Sequence, residues 1–262
     1  MVRVTTRNTN SSHRRFSSAF IAISLLLALL VAGSSYIFFI RPLFDAPLQY
    51  TAVVVESKGE NKLSEPLITH LPTPEPVKAI YMTSWVAGTP RIRDRLIKLI
   101  DETELNAVVI DVKDYTGRIA FAMADPDLVK TGAVEERIKE VKDFIRGLHQ
   151  KNIYVIGRVS VFQDAYFASR HPELAVHRKL NDEVWKDRKG ISWLEAGAMP
   201  VWDYVIKIAR EAYAVGFDEI NFDYIRFPSD GDMKDISYQY FDQKKETRAQ
   251  VLKRFYVYLS QA

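Results

Sequence analysis

With 262 residues, 47% of them hydrophobic, the chain is long enough to bury a sizeable core. It has no cysteine, which excludes disulfides, thiolate catalysis and cysteine–zinc sites. The formal net charge is +3, but Arg3, Arg7, Arg14, Arg15 and Arg41 flank one apolar run and the remainder carries about −2, so no nucleic-acid partner is expected.

That run, Phe16 to Ile40, contains no charged residue. A helix of ~20 apolar residues crosses a bilayer. The preceding arginines place the N-terminus in the cytoplasm and everything after Ile40 outside. The small residues Val31-Ala-Gly-Ser-Ser35 also suit a cleaved signal peptide. A secretory core, however, spans only ~7–15 residues, and this run continues to Ile40, which favours a retained anchor. The expectation is a single-pass membrane protein with its main domain extracytoplasmic. Residues 1–15 are a basic cytoplasmic tail, 16–40 the transmembrane anchor and 41–76 a Pro-rich linker. Within the linker, Tyr50 to Val55 is a short strand or an apolar patch.

From Val77 the texture changes. Val77 to Trp85 reads as a strand, and Thr89-Pro90 opens a helix to about Glu102, with Pro90 at the first helical position. Leu105 to Asp114 is a second strand. Val134 to Gln150 is a second helix, with Val134, Ile138, Val141, Ile145 and Leu148 along one face. Asn152 to Val161 is a third strand, followed by a long excursion from Phe162 to Met199. Pro200 to Val215 is a third helix, Phe217 to Phe227 a fourth strand, and Gln243 to Leu259 a fourth helix. Four β-α units argue for a parallel sheet with crossover helices, in an α/β domain spanning 77–262.

Two architectures fit, an open doubly wound sheet and a (β/α)8 TIM-type barrel. There is no G-x-G-x-x-G and no P-loop, so the barrel is favoured and no cofactor is expected. A complete barrel takes ~250 residues, more than remain after Val77. The expectation is a barrel truncated after about four units, the alternatives being completion by a partner or the open sheet.

In a barrel the C-terminal strand ends converge on one rim. They bring Trp85 from strand 1, Asp111, Lys113 and Asp114 from strand 2, Arg158 from strand 3, and Asn221, Asp223, Tyr224 and Arg226 from strand 4. Carboxylates, bases and aromatics on one rim suit glycoside chemistry, in which one carboxylate attacks or stabilises the anomeric carbon and another protonates the leaving oxygen. Trp85 and Tyr224 would stack on sugar faces, and Arg226 would keep Asp223 ionised. Period-two alternation puts Asn221 with Asp223, and Asp111 with Lys113, on a shared face. Tyr224 then points the other way, unless the strand has already ended.

Plainer readings stand beside these. Asp223–Arg226 and Asp111–Lys113 could be structural ion pairs, Trp85 a core plug, and Arg158 a ligand for loop carbonyls. His149, His171 and His177 read as surface or loop residues with no metal-site spacing. Trp185 and Trp193, in the long excursion, could wall a cleft.

Ile110-Asp-Val-Lys-Asp-Tyr-Thr-Gly117, Gly157-Arg-Val-Ser-Val-Phe162 and Asn221-Phe-Asp-Tyr-Ile-Arg-Phe-Pro-Ser-Asp-Gly231 together resemble a bacterial glycoside-hydrolase-like domain family of unassigned function. The resemblance implies a TIM-type barrel related to the retaining α-amylase-like glycosidases, usually behind an N-terminal anchor. It implies Asp223 as nucleophile and a general acid from a later strand. The expected partner is a cell-envelope or extracellular polysaccharide, with the membrane engaged through 16–40. The competing expectation is a carbohydrate-binding or envelope scaffold protein without turnover. A second carboxylate near Asp223, with Asp114 and Asp164 the local candidates, would separate the two.

Overall fold

The computed structural model describes residues 68–262; the tail, the apolar run at 16–40 and the linker up to residue 67, including Tyr50 to Val55, lie outside the described residues. Among the described residues no helix is long and apolar enough to cross a membrane. In chain order the elements are β1 (Ala79–Met82), α1 (Ser84–Ala87), α2 (Pro90–Asp101), β2 (Ala107–Lys113), α3 (Pro126–Thr131), α4 (Val141–His149), β3 (Tyr154–Ser160), α5 (Ala165–Arg170), β4 (His177–Arg178), α6 (Met199–Ala214), β5 (Glu219–Asp223), β6 (Ile236–Ser237) and α7 (Arg248–Gln261).

β1, β2, β3 and β5 form one parallel sheet in that order. Ala79 lies beside Ala107, Ala107 beside Tyr154, and Ile156 beside Glu219. The order is sequential and does not reverse, unlike a doubly wound sheet with its switch point. β4 and β6 make a separate antiparallel ribbon inside the long connections.

Alternation explains both faces of the sheet. Val108, Ile110, Val112, Val155 and Val159 are buried in the main core with Ile145 and Leu148 of α4 and Val205 and Ile208 of α6. On the other face Ala107, Tyr154 and Ile156 form a small cluster with Leu71 and Val109. α4 presents Val141, Phe144, Ile145 and Leu148 as one buried stripe, and each such side chain contributes about 1.5–3 kcal/mol when fully buried. Below the strands, the fully buried Asp218 carboxylate accepts from the backbone N–H groups of Leu71 (2.7 Å) and Val155 (2.8 Å). The chain is therefore already packed on the domain at Leu71, inside the segment read as linker.

Several boundaries differ from the sequence reading. β1 stops at Met82 because the Thr83 hydroxyl caps a helical turn, accepting from Val86 N–H at 3.2 Å. The helix expected from Val134 starts at Val141. Residues before it are held as loop by bonds from Glu135 N–H to Ile119 O (2.8 Å) and Arg137 N–H to Ala120 O (2.8 Å). Ile138 is buried as its pattern requires, but in that loop. His149 and His177 are not surface residues. His149 is half-buried on α4, its side chain turned in with Nε2 3.0 Å from Asp218 Oδ2, and His177 is buried in β4 with Nδ1 2.9 Å from Asp182 Oδ1.

Candidate active site at the strand ends

The site begins where β5 ends. Tyr224 adopts φ +55°, a left-handed conformation that costs a non-glycine residue about 1–2 kcal/mol. The bend is held by the Tyr224 N–H, which donates to Asp223 Oδ1 at 2.6 Å. The strand has thus ended by Tyr224, and its ring is released from the alternation that would have sent it to the helical layer. It lies 6.0 Å from Trp193 in an edge-on contact.

Arg158 organises the rim. Its Nε (2.9 Å) and Nη2 (2.7 Å) both donate to Asp223 Oδ2, and its Nη1 donates to Asp111 Oδ1 at 2.7 Å. The Tyr81 hydroxyl donates to the other oxygen of Asp111 at 2.5 Å. Sheet register produces this network, since Asp111 sits beside Arg158 and Arg158 beside Asn221. Burial works against the Arg158 charge, but the two carboxylates outweigh it and hold its pKa above the ordinary value. Burial, then the bond to Asp111, pushes the Tyr81 phenol up, so it stays a donor. One rigid guanidinium therefore bridges the two carboxylates. They differ in access. The Asp223 side chain is 45% exposed and that of Asp111 4%, so only Asp223 offers an open carboxylate.

Lys113 and Asp164 leave this site. The ladder slips register between Asp111 and Lys113, which breaks the alternation that would have put them on one face. Instead Lys113 Nζ donates to Asp164 Oδ2 at 2.6 Å, both side chains fully buried, with the ammonium 5.4 Å from the Tyr204 ring. Asp164 Oδ1 also accepts from Phe167 N–H at 2.7 Å, capping α5. Neither is available to substrate.

Asp114 is likewise engaged. Its Oδ1 accepts from Thr116 N–H (2.9 Å) and from the Thr116 hydroxyl, and its Oδ2 from Arg137 Nη1 (2.9 Å). The Arg137 guanidinium lies 4.5 Å from the Trp85 ring centroid and also bonds to Ser84 Oγ at 2.8 Å. Trp85 is 61% exposed, so it is a surface platform rather than a core plug, and Asp114 supports it through Arg137.

Arg226 does not hold Asp223, as Arg158 fills that role. The Arg226 Nη1 donates to Ser229 Oγ at 2.5 Å, and its guanidinium lies 5.1 Å from Tyr224 and 5.4 Å from Trp193. The structure thus brings Asp111, Arg158, Asp223, Tyr224 and Arg226 to one rim, keeps Trp85 exposed after β1, and removes Lys113. Sequence reasoning missed Tyr81 and Arg137. That Tyr81 shares a strand face with Ala79 was available from alternation, whereas no local pattern marks Arg137.

Fold and site define an α/β protein with a parallel sheet and a charged, aromatic-lined site at the C-terminal strand ends. The chain belongs to the family described as "Putative glycosyl hydrolase domain", which matches residues 79–262. A hypothetical protein from Ruminiclostridium thermocellum ATCC 27405 is 34% identical, with a TM-score of 0.63 over 70% of this chain and 91% of that one. Fainter likenesses are a GH31 alpha-xylosidase from a soil metagenome (11% identity, TM-score 0.48, 70% of this chain and 27% of that one) and alpha-L-fucosidase isoenzyme 2 from Paenibacillus thiaminolyticus (15%, 0.48, 70% and 29%). At that level they carry no argument for this chain. No curated protein matches it.

Proposed function

We propose that this is a glycoside-hydrolase-like domain acting on a cell-envelope or extracellular polysaccharide, with Asp223 as nucleophile or charge stabiliser. One observation carries the reading. Asp223 is open to solvent at a strand's C-terminal end, yet fixed and aimed by Arg158 and the Tyr224 N–H. A carboxylate facing a developing oxocarbenium ion needs that combination of access and fixed position. Trp85 and Tyr224 supply flat rings for sugar faces, and Asp111 with Tyr81 braces Arg158. The sequential four-strand sheet is read as half of a barrel, carried outside the cell by the apolar run at 16–40.

The test is Asp223→Asn assayed by release of reducing ends from a panel of envelope and extracellular glycans. Turnover should fall at least about a hundredfold. Loss of only a few-fold removes Asp223 from the reaction.

A second reading, carbohydrate binding without turnover, is favoured by the state of the other carboxylates. Asp111, Asp114 and Asp164 are each ion-paired to a base, so none of these three is free to deliver a proton. Under this reading calorimetry detects glycan binding while no reducing ends appear.

A further inference from the structure

Aromatic rings and guanidinium groups alternate across the strand ends. The Arg158 guanidinium lies 5.7 Å from the Tyr81 ring and 5.9 Å from Tyr224. Arg226 lies over the other neighbours, Tyr224 and Trp193. Arg137 lies over Trp85 on the same sheet edge. The arginines differ in what neutralises them. Arg158 meets Asp111 and Asp223, and Arg137 meets Asp114 and Glu135. Arg226 is exposed and, among the described residues, has no carboxylate partner, although the half-open Asp223 is three residues away.

From this imbalance we propose that Arg226 and Ser229 form an anion subsite beside Asp223, and that the glycan is acidic, with a sugar carboxylate docking on Arg226. The inference rests on the carbohydrate reading above and adds the class of glycan. Two rings and the Ser229 hydroxyl hold the guanidinium in place, so little side-chain freedom is lost when it engages a ligand. A planar fork matches a carboxylate in bidentate fashion, whereas a hydroxyl would use only one donor. The charges also fix the layout. Asp223 repels an anion on the ring it faces, so the charged substituent belongs on the side towards Arg226, on the same sugar's far edge or its neighbour. Arg158, already shared by two carboxylates, does not compete for it.

The experiment uses the full chain, with binding measured by affinity electrophoresis and calorimetry. The probes are a panel of uronic-acid polysaccharides, the same polymers with their carboxyl groups reduced to alcohols, and sulfated neutral polysaccharides. At least one uronic-acid polymer should bind, and its carboxyl-reduced form should bind at least tenfold more weakly. Arg226→Gln should lose about ten- to hundredfold on the acidic form alone, and Arg226→Lys should recover only part of this, because an ammonium lacks the fork. Unchanged thermal melting of both variants keeps the comparison valid, since Arg226 is on the surface. Equal binding of the reduced polymer, or no effect of Arg226→Gln, overturns the anion subsite and leaves the carbohydrate reading standing. Preference for the sulfated polymers over the uronic ones overturns the carboxylate assignment. Failure of every glycan to bind or turn over overturns both.

Discussion

Two acid–base pairs stand at neighbouring strand ends, Lys113–Asp164 across β2 and β3 and Arg158–Asp223 across β3 and β5, and behave oppositely. Lys113 and Asp164 are sealed, at zero exposure, and every polar atom of the pair is turned inwards. Arg158 and Asp223, a few residues away on the neighbouring strand ends, open to solvent. In sequence both look like charges at a strand terminus. The difference lies in access. A buried pair fixes the chain, whereas a half-open carboxylate with a fixed orientation can meet a ligand. Gly117 underlines the first role, because a Cβ there would stand 1.9 Å from Asp164 Oδ1 and its φ is +83°, so the loop closes over Asp164 only with glycine.

Breaking each pair separates the roles. The largest stability effect is expected from Lys113→Ala, which strands a buried carboxylate and costs about 3–5 kcal/mol, read as a shifted urea midpoint. Arg158→Met comes next. It leaves the buried Asp111 with Tyr81 alone and costs about 1–3 kcal/mol, and it should also abolish glycan recognition by releasing Asp223. If Arg158→Met destabilises as much as Lys113→Ala but leaves ligand binding intact, the open pair is structural as well.

The smallest effect concerns pH and lies in neither pair. Burial lowers the pKa of His177, but the Pro172 carbonyl and the Asp182 carboxylate outweigh it and leave it raised. A raised folded pKa means the protonated form is favoured in the fold. Its stabilisation is therefore complete below the unfolded value of about 6.5 and fades as pH rises through the folded value. His177→Gln should narrow the difference in melting temperature between pH 6 and pH 8. A gap unchanged from the wild type would show that His177 is not responsible.

Much of the fold was legible because it follows from periodicity. The runs Ala107–Lys113 and Tyr154–Ser160 are nearly continuous apolar stretches, and both are central strands. Pro90 and Met199-Pro200 mark helix starts, since proline at the first turn loses no hydrogen bond. The sequence reading starts this helix too early because Val134 and Ile138 keep a helical spacing while the N–H groups of Glu135 and Ile138 bond to the carbonyls of Ile119 and Ala120. Within the site, Asp223, Arg158 and Asp111 could be named from residue type at strand ends. Which acid meets which base could not. Arg226 is closest to Asp223 in sequence, yet the register of β3 against β5 delivers Arg158 instead.

The sequence alone determined the α/β alternation, the strand that ends in Asp223, the family, and the set of charged residues available to a site. Those depend on local pattern and composition, which each segment carries with it. Tertiary structure decided the sharing of Arg158 by Asp111 and Asp223, the burial of Lys113 with Asp164, the exposure of Trp85 over Arg137, and the lack, among the described residues, of a carboxylate partner for Arg226. Pairing of charges depends on strand register, one local slip in a ladder, and the cost of leaving any charge buried alone. Those quantities exist only once the strands lie side by side.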